Sequence, residues 1–257
     1  MHRWRPCLER PYERAFQAVS CADAKHCWAI HCSGGIGIIW RSSDGGRTWN
    51  YYARGGDWSL LVGDLSFVSD LRGWVVSGRE IRATRDGGKS WVVLHSPTKR
   101  LLYGVDFPNA RRGWAVGDAG TVVATANGGV AWHLQHSGTK VHLARVDFAD
   151  SRHGWAVGAK GTIISTTNGG VRWRAQSSGT SDDLKDVSFA DARHGWVVGD
   201  GGTILCTSDG GGHWVAQTSP AENPLWGVDF VDASHGWAAG LFGAILATSD
   251  GGHGSAR

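Results

Sequence analysis

One marker recurs through this sequence at a nearly fixed distance. Asp44, Asp86, Asn127, Asn168, Asp209 and Asp250 each precede a Gly-Gly pair, at intervals of 41 or 42 residues. Two further series keep the same register. Trp28, Trp74, Trp114, Trp155, Trp196 and Trp237 step by 40 to 46 residues, and Phe67, Phe107, Phe148, Phe189 and Phe230 by 40 or 41, with Cys21 in the corresponding slot of the first unit. A period of this length means that each unit is one supersecondary element that buries its apolar face against its neighbours.

Within a unit the pattern reads as four short strands. In the fourth unit these are RVDF (145–148), GWAVG (154–158), TIIST (162–166) and a strand opening at Trp173, joined by turns rich in Gly, Asn and Asp. Alternation over four to six residues between such turns is hairpin chemistry, and no 10–15-residue helical pattern separates the strands as a parallel β/α fold would require. Four antiparallel strands every 41 residues describe one blade of a β-propeller. The expected fold is therefore all-β, a single six-bladed propeller over residues 1–257. The sixth turn is cut short, with Ser255 where the tryptophan of the series is due. Trp4 precedes Cys21 by about the spacing seen between units. The segment RWRPCLER, within residues 1–10, is thus expected to supply the outermost strand of the last blade and close the ring, which removes open sheet edges.

Composition agrees. The chain holds 39 glycines and 15 tryptophans against one methionine, a mixture that favours strands and tight turns. Twelve of the tryptophans fall in two repeated slots, the series above and Trp4, Trp49, Trp91, Trp132, Trp173 and Trp214; their role is packing within and between blades. A formal charge of +3 does not point to nucleic acid. No run reaches the 18 apolar residues of a membrane span, and the basic N-terminus lacks the apolar core of a signal peptide. The five cysteines form no CxxC or Cys/His spacing, so neither a metal nor a cofactor is expected. Cys21 and Cys27 flank a hairpin turn, where a local disulfide or buried free thiols are both open to them.

The turns SSDGGRTW (42–49), TRDGGKSW (84–91), TANGGVAW (125–132), TTNGGVRW (166–173) and TSDGGGHW (207–214) resemble the Asp-box, or BNR, motif. The Asp or Asn accepts turn N–H groups, glycine takes positive φ and the tryptophan seals the hairpin. A catalytic role needs one copy to differ, and none does. The joint register LxxVxF…GWAVGxxGTIxxTxDGGxxW, over nearly the whole chain, resembles the photosystem II stability/assembly factor family. That resemblance implies a non-catalytic propeller that binds an early reaction-centre subunit, in an extracytoplasmic setting, periplasmic or lumenal. Sialidases and related glycosidases share the box and form the rival, enzymatic class. Their chemistry needs paired carboxyls and a tyrosine–glutamate couple, and only Tyr103, Glu80 and Glu222 fall in loops opposite the boxes. A structural repeat fragment of a larger BNR protein is the third reading.

Two further slots carry polar residues. The pair before each GW or CW step is Lys25-His26, Leu71-Arg72, Arg111-Arg112, Arg152-His153, Arg193-His194 and Ser234-His235. Ten of the twelve are basic, and they are expected to form a ring on the box face. Such a ring docks a protein partner through an acidic segment or carboxylate tail, with His26, His153, His194 and His235 tuning it near pH 6–7. The second slot is Asp106, Asp147 and Asp229, with Ser66 and Ser188 in other units. It lies in the innermost strand, turned away from its Val and Phe neighbours, and is expected to hydrogen-bond the adjacent blade.

Overall fold

The computed structural model describes residues 17–33, 36–57 and 62–252. Among them lie six antiparallel sheets, five of four strands and one of three, each formed by strands consecutive in sequence. This is the six-bladed propeller. Blade 4 is representative: its strands are Leu143–Phe148, Gly154–Gly158, Thr162–Thr166 and Arg174–Gln176, innermost first. The innermost strand starts two residues earlier than the sequence pattern suggested, and the outermost starts just after Trp173 rather than on it. Blade 6 has three described strands, Leu225–Phe230, Gly236–Gly240 and Ile245–Thr248. The expected contribution of residues 1–10, Trp4 included, lies outside the described residues.

The second strand of blades 2 to 5, GW-x-x-G or a close variant, is the most buried of its blade because sheets cover it on both faces. In blades 2 to 5 every residue of it is buried. Its leading glycine is obligatory. A Cβ on Gly154 would fall inside the ring of Phe148, which lies over it, and the same holds for Gly113 under Phe107 and Gly195 under Phe189.

Among the described residues the core is five separate clusters, each shared by two successive blades. One junction repeats five times. Trp28, Trp74, Trp114, Trp155 and Trp196 stack on Phe67, Phe107, Phe148, Phe189 and Phe230 of the next blade, with centroids 3.4–3.9 Å apart and planes within 10°. Each indole Nε1 donates to the first glycine carbonyl of the next blade's box, from 2.8 Å in Trp28–Gly87 to 3.2 Å in Trp114–Gly169. The box tryptophans Trp91, Trp132, Trp173 and Trp214 close the other side of the Phe ring edge-on. Offset and edge-to-face aromatic packing of this kind adds about 0.5–1.5 kcal/mol per pair beyond burial.

The second polar slot completes the junction, as the alternation of the innermost strand indicated. Ser20, Ser66, Asp106, Asp147 and Ser188 each accept the backbone N–H of the next blade's phenylalanine, at 2.7–3.1 Å. In blade 1 the Phe-over-Gly pair is absent; Cys21 and Cys27 stand in those two slots and form a disulfide.

Candidate functional site

The box comes first because it anchors the site. In the first copy Ser42 Oγ donates to Asp44 Oδ1 at 2.8 Å and accepts the Gly46 N–H. The Thr48 N–H and hydroxyl both donate to Asp44. These bonds, the Thr48 hydroxyl foremost, hold the Asp44 carboxyl down at about 2. Asn127 and Asn168 make the same set minus the second oxygen's bond, so the turn needs an acceptor and not a charge. Asp86, Asp209 and Asp250 bind their own Thr hydroxyls likewise. All six acids and amides are occupied by their own turns, as a structural motif requires.

The first glycine N–H of each box reaches across to the loop between the first and second strands. Gly45, Gly87, Gly128, Gly169, Gly210 and Gly251 donate to the carbonyls of Lys25, Leu71, Arg111, Arg152, Arg193 and Ser234 at 2.7–3.0 Å. The twelve residues of the basic pairs therefore sit beside the boxes on one face, one pair per blade.

Within each loop a cap residue two positions before the pair accepts both N–H groups of that pair. The cap is Asp23, Asp150, Asp191 or Asp232 in blades 1, 4, 5 and 6. It is Ser69 in blade 2 and Asn109 in blade 3. The four aspartates also take the histidine of the pair: Nδ1 of His26, His153 and His194 lies 2.8 Å from its carboxylate, and that of His235 3.0 Å. The bond from His26 and those from the turn amides hold Asp23 at about 2. Asp150 and Asp191 are lowered too: partial burial works against their ionisation, and the bonds from His153 and His194 outweigh it.

Charge along the face follows from the caps. In the Asp-capped loops of blades 1, 4 and 5 the cap carboxylate stands against Lys25, Arg152 or Arg193. Blade 6 has no such cation. In blade 2, Asp70 stands next to the pair that contains Arg72. Only blade 3 presents two arginines, Arg111 and Arg112, over a neutral cap. Those two, with Asn109, Ala126 and Ser151, line a cleft of about 400 Å³. Arg112 is steered there by a bond from its guanidinium to the Ser151 carbonyl, 3.3 Å, and Asn109 Nδ2 donates to the Ser151 hydroxyl. A neighbouring cleft between blades 2 and 3 is lined by Arg72, Ser69, Pro108 and Asn109 among others. The uncompensated positive charge of these loops is thus centred on blade 3 rather than spread evenly.

A second constellation crosses the central channel. Arg145 of blade 4 lies with its Nε 3.8 Å from both Asp64 of blade 2 and Asp186 of blade 5, and its Nη1 donates to the Tyr103 carbonyl of blade 3 at 2.8 Å. All three occupy one slot, three residues before the blade's phenylalanine, where blades 3 and 6 have Gly104 and Gly227. Burial raises Asp64 and pushes Asp186 up to about 7, with Arg145 opposing it in both cases. Asp106 and Asp147, one layer along, are likewise raised by burial, Asp147 to about 7.

The residues weighed for glycoside hydrolysis do not assemble. Glu80 is bonded twice by Arg82, two positions along its own strand. Tyr103 packs edge-on against His142, which pairs with Asp118. Glu222 is exposed on the blade 5–6 connection.

The family model described as photosynthesis system II assembly factor YCF48 matches residues 132–185 and again 173–224, the stretches that carry the box, the GW strand and the innermost strand in register. The chain is an Asp-box propeller resembling the photosystem II assembly factors. Solved structures agree on the fold. YCF48 bound to D1 peptide is 18% identical, with a TM-score of 0.54 over 92% of this chain and 93% of that one. YCF48 from Cyanidioschyzon merolae gives the same identity and score over 94% and 97%. The GH74 enzyme of Niastella koreensis superposes at a TM-score of 0.77 with 13% identity, over 94% of this chain but only 46% of its own length. No curated protein matches the sequence.

Proposed function

We propose that the chain is a protein-binding propeller of the assembly-factor type. In this reading it holds a subunit of a membrane complex through an acidic segment or a C-terminal carboxylate, and catalyses nothing itself. The observation that carries the reading is the pair Arg111 and Arg112, standing over a neutral cap in a cleft on the box face. Guanidinium groups in a fork geometry suit a carboxylate, and steer its approach. Arg72, Arg152 and Arg193 extend the positive face on either side, with Lys25 and the capped histidines His26, His153, His194 and His235 as its weaker members. The resemblance to the assembly factors supports the reading, as does the D1 peptide named in the related structure. Hydrolysis gains nothing from the channel carboxylates, since Asp106 and Asp147 are already committed to blade junctions.

Two variants test this with an acidic decapeptide carrying a free C-terminal carboxylate, its amide serving as control. Replacing Arg111, Arg112, Arg152 and Arg193 together by alanine is expected to weaken binding at least about tenfold, or 1.4 kcal/mol, while the melting temperature moves little. Undiminished binding by that variant overturns the reading. Asn109→Asp is the finer probe. It keeps both turn bonds and adds one negative charge beneath the arginines, so affinity falls severalfold and the fall shrinks at high salt.

A further inference from the structure

Among the described residues five blade junctions are complete, and the sixth is present only as two unjoined halves. On blade 6, Trp237 is 36% exposed, whereas its five counterparts are 0–2% exposed. No described residue accepts its indole N–H or stacks on it. Ala239 and Ile245 beside it are also exposed, although their blade 3 counterparts Val116 and Val122 are fully buried. On blade 1, Val19 is 61% exposed while Val105 in the same slot is 3%. Cys21 is exposed, as is Gly45, the first glycine of the first box. The two faces carry the two halves of one lock.

The receiving half is built differently from the other five. In blades 2 to 6 the surface that meets the tryptophan is a phenylalanine lying over the glycine six residues later. Blade 1 has Cys21 and Cys27 at those two positions, opposite each other in register and joined as a disulfide. A cystine is apolar and polarizable, and sulfur against an aromatic ring is a favourable contact. It offers in one covalent unit what the Phe–Gly pair offers elsewhere.

We propose that Trp237 seats on the Cys21–Cys27 disulfide and closes the array into a ring. Its Nε1 then donates to the Gly45 carbonyl, and Asp229 accepts the Cys21 N–H, as Asp147 accepts that of Phe189. Val19 meets Ala239, as Val187 meets Val157 within one buried cluster. The occupant of each face is the other end of the same chain. A tethered partner acts at millimolar effective concentration or above, so it outcompetes a second copy in dilute solution.

Two measurements test the latch. The first is a double-mutant cycle in melting temperature. Trp237→Ala should lower it about as far as Trp196→Ala does, and the drop should shrink to less than half in a Cys21→Ser/Cys27→Ser background. A negligible drop, or the same drop in both backgrounds, overturns the proposal. The second is disulfide trapping of Val19→Cys/Ala239→Cys, with Val157→Cys/Val187→Cys as a positive control at a complete junction. An intrachain link in the monomer, located by peptide mapping, is the expected result. Linked dimers overturn the proposal by assigning the faces to a second copy. No link where the control pair links overturns it by leaving the array open.

Discussion

Trp155→Ala is expected to destabilise the propeller by about 3–5 kcal/mol, the range for deleting a large aromatic from a packed core. Trp155 is 2% exposed and stacks at 3.4 Å on Phe189. Its loss removes three things together: the apolar area, the stacked pair and the Nε1 bond to Gly210 at 2.9 Å. The bond matters least, since Gln176 Nε2 also donates to the Gly210 carbonyl at 3.0 Å, so that acceptor is not orphaned. The cavity dominates. Trp155→Phe should recover part of the loss, and Val171→Ala, at a site 85% exposed, should change stability by less than about 0.5 kcal/mol. Urea denaturation checks all three, and a Trp155→Ala loss under about 1 kcal/mol would show that the junctions do not act as the core.

The second large effect concerns Arg145, and it depends on pH. Arg145→Met removes the cation between Asp64 and Asp186, whose side chains are only 15% and 19% exposed. Two buried carboxylates are then left without a counter-charge, at a cost of about 3 kcal/mol near pH 7.5. Protonating them relieves the penalty, so the variant recovers towards wild type by pH 5. The parent chain shows the same sign more weakly. Asp147 and Asp186, raised to about 7 from an ordinary 3.8, bind protons in the folded state that the unfolded chain has released. Their contribution is complete below about pH 4 and is lost as pH rises through 7. The turn aspartates Asp23, Asp44 and Asp86, held near 2, act oppositely: they stabilise above pH 4 and lose that effect as pH falls towards 2. Melting temperature should therefore peak at mildly acidic pH. A profile that climbs steadily from pH 5 to 8 would contradict the channel reading.

The blades were legible in the sequence because each junction is made of one residue type per slot, repeated. Trp, Phe, Gly and the Ser/Asp acceptor recur at a fixed step, and a repeated residue announces a repeated contact. Even the bond from Asp147 to the next blade follows from strand alternation. The Asp64–Arg145–Asp186 bridge was not legible. Its members share a slot but differ in kind, and their meeting depends on where three blades point across a channel. The signal available was a charged residue in a slot that is Gly or Ala in the other units. The basic pairs were legible as residues but not as a charge pattern. The acidic caps three residues before the histidines look like ordinary turn formers until the Nδ1 bonds are seen. The disulfide was open from spacing alone, and its equivalence to a Phe–Gly pair needed the neighbouring blades for comparison.

The choice of cap has a consequence for how a partner can lie on this protein. A propeller of near-identical units offers a ligand six almost interchangeable rotational settings. Ser69 and Asn109 end that degeneracy: two uncharged side chains among four carboxylates give the face a compass direction, pointing to blade 3. In the proposed reading, orientation is encoded by leaving a charge out rather than by adding one. Moving the Asn cap and its arginine pair to another blade should turn the bound partner about the channel axis, with the scaffold beneath it unchanged.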